Sequence, residues 1–183
     1  MKRNVWLTVH GEQQYEGMSA DSSDLRVRGT MEETRDGYLL RYEETDGDGK
    51  VTTATRLALA PDCIILTRTG EVTSEMVFAE GKEHTSFYAV PYGTLPVAVK
   101  AESVKWKLDE DGGMLALRYA ITIGGQILKK KVKFVLTCAT EFGTICKSAI
   151  GRILPYLRDI AMNREIAQVS EVTFGEYVRT SGG

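Results

Sequence analysis

Histidine and cysteine are scarce in this chain, and the scarcity removes whole classes of chemistry. Two histidines, His10 and His84, and three cysteines, Cys63, Cys138 and Cys146, are spread over 183 residues. No two cysteines have C-x-x-C spacing, and no Cys/His zinc pattern can be assembled from so few ligands. Cys63 sits in an apolar stretch, where a thiol behaves as a small hydrophobe. A surplus of either charge is also missing, since 23 Lys and Arg face 25 Asp and Glu, for a net charge of −2. A near-neutral surface attracts neither nucleic acid nor an anionic membrane as its main partner. No window approaches the ~18 apolar residues of a membrane span. Lys2 and Arg3 lead into His10, Glu12 and Gln13 rather than into the apolar core of a signal peptide. These absences lead us to expect a cytoplasmic protein with reduced thiols, contacting neither nucleic acid nor membrane.

Catalytic signatures are absent as well. There is no H-E-x-x-H, no G-x-x-x-x-G-K-[ST], and no serine in a nucleophile-elbow context. Thr45-Asp46-Gly47-Asp48-Gly49 lacks the glutamate at loop position twelve that an EF-hand needs, so it reads as a turn. Gly124-Gly125 is followed by no helix and is no phosphate cradle. Lys129-Lys130-Lys131-x-Lys133 is the basic run of the chain. It carries no interleaved aromatic platform, and lysines on an exposed or edge strand discourage edge pairing. No cofactor is implied by any motif.

What the sequence does have, up to about Thr137, is alternation. Val5, Leu7 and Val9 alternate with Trp6, Thr8 and His10, the period of a half-buried strand. Gln14 to Ser23 is polar and mixed and reads as a loop. Asp36-Gly37 makes a hairpin turn into Tyr38, Leu40 and Tyr42 on one face, with Arg41 and Glu43 on the other. Further turns fall at 45–49, at Pro61-Asp62, at Gly70-Glu71, at 80–82, at 91–93, at 109–113 and at Gly124-Gly125. Leu95 to Leu108 reads as one long strand interrupted near Ala101 or Glu102. About nine strands joined by short turns favour an all-β up-and-down antiparallel barrel of eight to ten strands over any α/β plan. Closing the barrel would also remove exposed edges.

The central stretch carries a more specific pattern: Arg68-x-Gly70-Glu71, Ser74-x-Met76-Val77-Phe78, Gly81-Lys82-x-His84, and Tyr88-x-x-Pro91-Tyr92-Gly93. Gly37-Tyr38-x-x-x-Tyr42-Glu43-Glu44 extends it upstream, and Gly112-Gly113, Tyr119 and Gly124-Gly125-Gln126 extend it downstream. In these residues the chain resembles the YwiB-like family of small bacterial proteins, over about residues 3–136. The resemblance implies a calycin-like, lipocalin-like barrel found mainly in Firmicutes, and it implies no chemistry. The family usually has threonine where this chain has Val90, and Ala101 stands where a threonine is expected.

Arg68, Met76, Phe78, His84 and Tyr88 share parity on consecutive strands, so they are expected to face inward. With Glu71 and Tyr92 near a rim, they form the candidate lining of a ligand site. A buried arginine must be paired; either it anchors an anionic or carbonyl ligand, or it joins an internal network with a glutamate or tyrosine that closes the barrel end. Catalysis by His84 would need a nucleophile or metal and an orienting partner that the sequence does not supply.

From about Cys138 the character changes. Ile145, Ala149, Ile153, Leu157, Ile160 and Ala161 recur at helical steps, predicting an amphipathic helix over roughly 144–163, kinked at Pro155. We therefore divide the chain into a barrel domain at 1–137 and a partly helical extension at 138–183. The function expected is non-enzymatic binding of a small amphipathic or anionic molecule inside the barrel. The alternative is a side-chain-filled barrel that works as a protein-interaction or scaffolding module, with a protein partner or a second copy of the chain.

Overall fold

The computed structural model describes residues 1–90 and 93–139. Ten strands follow one another: β1 (Lys2–Tyr15), β2 (Asp21–Thr34), β3 (Gly37–Thr45), β4 (Val51–Leu59), β5 (Ile64–Gly70), β6 (Thr73–Phe78), β7 (Glu83–Val90), β8 (Gly93–Asp109), β9 (Gly112–Ile123) and β10 (Gln126–Cys138). Each pairs antiparallel with its neighbours in sequence, and β1 pairs with β10 to close the barrel. Closure runs from Val5 opposite Cys138 to Tyr15 opposite Leu128. The helix expected over 144–163, and the extension as a whole beyond Ala139, lie outside the described residues.

Two expectations about local structure are corrected. The segment 14–23, read as a loop for its polarity, is a loop only over 16–20, because β1 continues to Tyr15 and β2 resumes at Asp21. Backbone pairing on both flanks, Gln13 with Asp21 and Gln14 with Lys129, holds this polar stretch extended without an apolar face. The lysine run, read as edge protection, lies on β10, which has a partner on each side. The interruption expected near Ala101 or Glu102 is a bulge. Ala101 faces Tyr119 and Ser103 faces Arg118, leaving Glu102 as the extra residue. The bulge switches the inward positions of β8 from Val97, Val99 and Ala101 to Val104, Trp106 and Leu108. It is gripped from the β6–β7 turn, where the Glu80 carboxylate accepts from the Val104 N–H at 2.9 Å.

One end of the barrel interior is filled. Leu7, Leu40, Leu57, Ile64, Phe78, Val99, Leu115 and Leu136 are fully buried there. Trp106 meets Tyr38 edge-on at 6.0 Å between ring centroids. Each large aliphatic or aromatic side chain so buried stabilises the fold by roughly 1.5–3 kcal/mol relative to exposure. Tight backbone approach needs glycine at this end. A Cβ on Gly113, where φ is +137°, would lie 2.1 Å from the Lys107 carbonyl oxygen, closer than any side chain allows.

No helix among the described residues is long and apolar enough to cross a membrane. The outward faces of the strands carry Arg26, Arg28, Arg41, Arg56, Lys129 and Lys131.

Candidate functional site

The other half of the interior is built differently. The register places Tyr42 of β3 opposite Thr55 of β4, Thr55 opposite Arg68 of β5, Arg68 opposite Ser74 of β6, and Ser74 opposite Tyr88 of β7. One polar belt thus crosses five consecutive strands, one inward side chain from each. Arg68 and Ser74 flank the turn at 71–72, Tyr88 lies near the end of β7, and Tyr42 and Thr55 lie nearer the middle of their strands, so the belt sits toward one mouth. Across the interior, Tyr119 of β9 faces Lys130 of β10 in the ladder, and the Tyr119 ring leans on Phe78 at 4.7 Å between centroids.

Arg68 is the centre of this belt. Its guanidinium donates to Glu44 Oε1 at 2.7 Å, and the two side chains keep 32% and 29% of their surface exposed. Such a pair is neither dry nor fully screened, so most of its value lies in fixing the guanidinium rather than in stability. Lys130 is the second cation. Burial and, after it, the Arg68 charge hold its ammonium below the usual lysine range. No carboxylate among the described residues lies within ion-pairing distance of it.

Two tyrosines of the site, Tyr119 and Tyr42, are held above the usual phenol range. Burial pushes the Tyr119 phenol up to about 12, despite the opposing pull of Arg68. Burial also raises Tyr42, with Glu44 adding to the rise and the nearby Thr55 hydroxyl and Arg68 opposing it. The Thr55 hydroxyl, though close enough to influence Tyr42, forms no hydrogen bond of good geometry among the described residues, and neither does the Ser74 hydroxyl. Both are buried, and both flank Arg68. A buried hydroxyl without a partner costs roughly 1–3 kcal/mol, so the Ser74 hydroxyl beside a cation is an unusual expense for a purely structural belt.

Around the belt, Val9, Leu25, Val27, Leu66, Tyr88 and Val132 point inward yet keep part of their surface exposed, while packing against the fully buried core. The mouth half therefore offers an apolar wall beneath a polar ring, with two cations and one carboxylate among its inward side chains.

The residues singled out from the sequence fall into three groups. Arg68 and Tyr88 are in the belt. Met76 and Phe78 belong to the packed core, with Phe78 fully buried. His84 points inward, but it stands opposite Val99 and four residues from Tyr88 toward the filled end, with its Nε2 buried and unpartnered among the described residues. Glu71 is not a lining residue: it is exposed in the β5–β6 turn, where its N–H donates to the Thr52 carbonyl at 2.9 Å. A tight turn leaves its second residue outside the sheet, and the partner of Arg68 is Glu44 instead. Tyr92 lies outside the described residues. The sequence reading missed Glu44, Thr55, Ser74, Tyr119 and Lys130. Parity with Tyr42 pointed to Glu44, and parity with Leu128, Val132 and Phe134 pointed to Lys130, the one lysine of its run on their face.

Comparisons with known proteins agree on the architecture. A family model described as "Domain of unknown function (DUF1934)" matches residues 7–134. The uncharacterized beta-barrel protein YwiB of Bacillus subtilis (strain 168) is 28% identical over 89 residues, covering 49% of this chain and 61% of that protein. The chain thus spans about three fifths of the length of this curated relative. The crystal structure of the ywiB protein from Bacillus subtilis matches with a TM-score of 0.63 at 19% identity, over 73% of this chain and 92% of that one. At this identity the likeness speaks for the fold, and function must be argued from the site.

Proposed function

Given that the chain belongs to the DUF1934 family, whose description assigns it no function, we propose from the site itself that the barrel binds a small amphipathic anion. The head would sit between Arg68 and Lys130, with Thr55 and Ser74 donating their hydroxyl protons to it. The tail would lie against Leu66, Val27 and Val132. The observation that carries this reading is the charge balance of the belt: two inward cations share one carboxylate, and Lys130 has no counter-ion among the described residues. A carboxylate or phosphate head supplies the missing charge and satisfies both hydroxyls at once.

Binding rather than catalysis is supported by the separation of the reactive groups. His84 lies toward the filled end, Glu71 lies outside, and Arg68 lies at the mouth, so the histidine has neither of these beside it as an acid–base partner. Cys63 and Cys138 are both free, which fits a reducing, cytoplasmic setting.

A second reading has its own observation. Tyr15, Met18, Val51, Phe87, Leu95, Ile123 and Ile127 are exposed, and all lie near the mouth end. An apolar rim of this kind also suits a protein partner. Calorimetric titration with decanoate separates the two. Saturable binding that Arg68→Ala abolishes, with the fold intact by circular dichroism, supports the ligand reading. Absence of binding by the folded protein sinks it and leaves the rim as the functional surface.

A further inference from the structure

A second concentration of cations lies on the outside of the barrel, on the face shared by β1 to β5. A groove of about 560 Å3 there is lined by Lys2, Arg28, Arg41 and Arg56, with Glu43 as the carboxylate among them. The chain as a whole has a net charge of −2, so this is a local inversion rather than a consequence of composition. Arg41 and Arg56 are direct cross-strand partners. Like charges facing each other across a ladder are destabilising, and a strand surface chosen only for solubility would alternate them. Glu32 relieves Arg41 at 3.2 Å and stands opposite Lys2 in the ladder, but no carboxylate among the described residues lies within ion-pairing distance of Arg28 or Arg56.

Donors complete the row. The register runs Thr30, Arg41, Arg56, Thr67 across four strands, placing a hydroxyl at each end of the arginine pair. Arg28 is anchored at the groove margin by Trp6, its guanidinium carbon 4.8 Å from the ring centroid, and Arg26 packs over the same ring at 5.0 Å. A guanidinium held by cation–π contact keeps its donors free for an anion.

We propose that this groove is a binding site for a phosphate-bearing small molecule of nucleotide size, independent of the site inside the barrel. The volume falls within the range of small-molecule sites. Paired guanidinium groups match phosphate oxygens two at a time, and the two threonines supply further donors. The facing arginines, unfavourable when empty, are relieved when a phosphate lies between them.

Calorimetric titration of the full chain with inorganic pyrophosphate, at fixed ionic strength, tests this. We expect saturable binding that Arg56→Gln weakens by about tenfold or more, the scale of losing one charge-assisted pair. Lys105→Gln, which removes an outward lysine of β8 away from the groove, should leave it unchanged. Lys130→Met, inside the barrel, should also leave it unchanged, which separates this site from the interior one. Arg56→Gln should melt no lower than the unaltered protein, since it removes one of two facing like charges. Non-saturable heat, or equal weakening by Lys105→Gln, would overturn the proposal. So would binding of a thymidine oligonucleotide without any pyrophosphate binding, which would make the face a nucleic-acid track instead.

Discussion

The two halves of one barrel obey different rules. The half that holds Leu57, Phe78 and Leu115 is packed to exclusion of solvent, while the mouth half of the same barrel holds Arg68, Glu44, Lys130 and the Ser74 hydroxyl, which has no partner among the described residues. The strands pass from one half into the other, β8 through its bulge at Glu102. Apolar residues at those positions would close the interior just as well, and with less cost in desolvation. On the function proposed above, the contrast gives stability to one half and recognition to the other.

The comparison can be broken most forcefully at the filled end. Phe78→Ala should destabilise the protein by about 3–5 kcal/mol in urea unfolding, the usual range for an aromatic truncated in a close-packed core. A loss of under 1 kcal/mol would mean that this half is not the structural one.

Alkaline titration probes the boundary between the halves. The Tyr119 phenol is held at about 12 in the folded protein, above the value near 10 of an unfolded chain. Its burial thus contributes stability that is fully present below pH 10 and is lost as pH rises toward 12. The loss should be on the order of 2 kcal/mol, and Tyr119→Phe should flatten that window. An unfolding free energy with the same pH slope in both proteins would contradict the burial argument.

Substitutions in the belt should then act with opposite signs. Glu44→Gln leaves two cations without their carboxylate and should cost about 1 kcal/mol, a modest figure because the pair is part-exposed. The same change should tighten binding of an anionic ligand. Lys130→Met removes a half-buried charge and should raise stability by about 0.5–2 kcal/mol, as functional residues replaced by apolar ones often do. Ser74→Ala is the mildest, within about 0.5 kcal/mol of neutral or slightly stabilising, because its hydroxyl has no protein partner to lose. A marked destabilisation by Ser74→Ala or Lys130→Met would show that the belt is structural after all.

How much of this was legible beforehand follows the range of each interaction. Alternation and glycine turns are local, so the all-β barrel, the bulge near Glu102, and the inward face of Arg68, Met76, Phe78 and Tyr88 could be read from neighbouring residues. The polar length of β1 and β2 could not, because it is held by pairing with β10 and with each other rather than by an apolar pattern. Glu44 lies 24 residues from Arg68 in sequence, and the Tyr119–Lys130 juxtaposition depends on the β9–β10 register. Glu71, expected near a rim of the lining, is close to Arg68 in sequence but exposed, since a turn carries its side chain out of the barrel.

Native mass spectrometry of the gently purified chain, side by side with Lys130→Met, tests the division of labour most directly. The account predicts a retained anionic molecule of low mass on the unaltered protein, lost from a Lys130→Met variant that melts at a higher temperature. A bare protein in both preparations that also fails to take up decanoate would contradict it, as would retention undiminished by Lys130→Met.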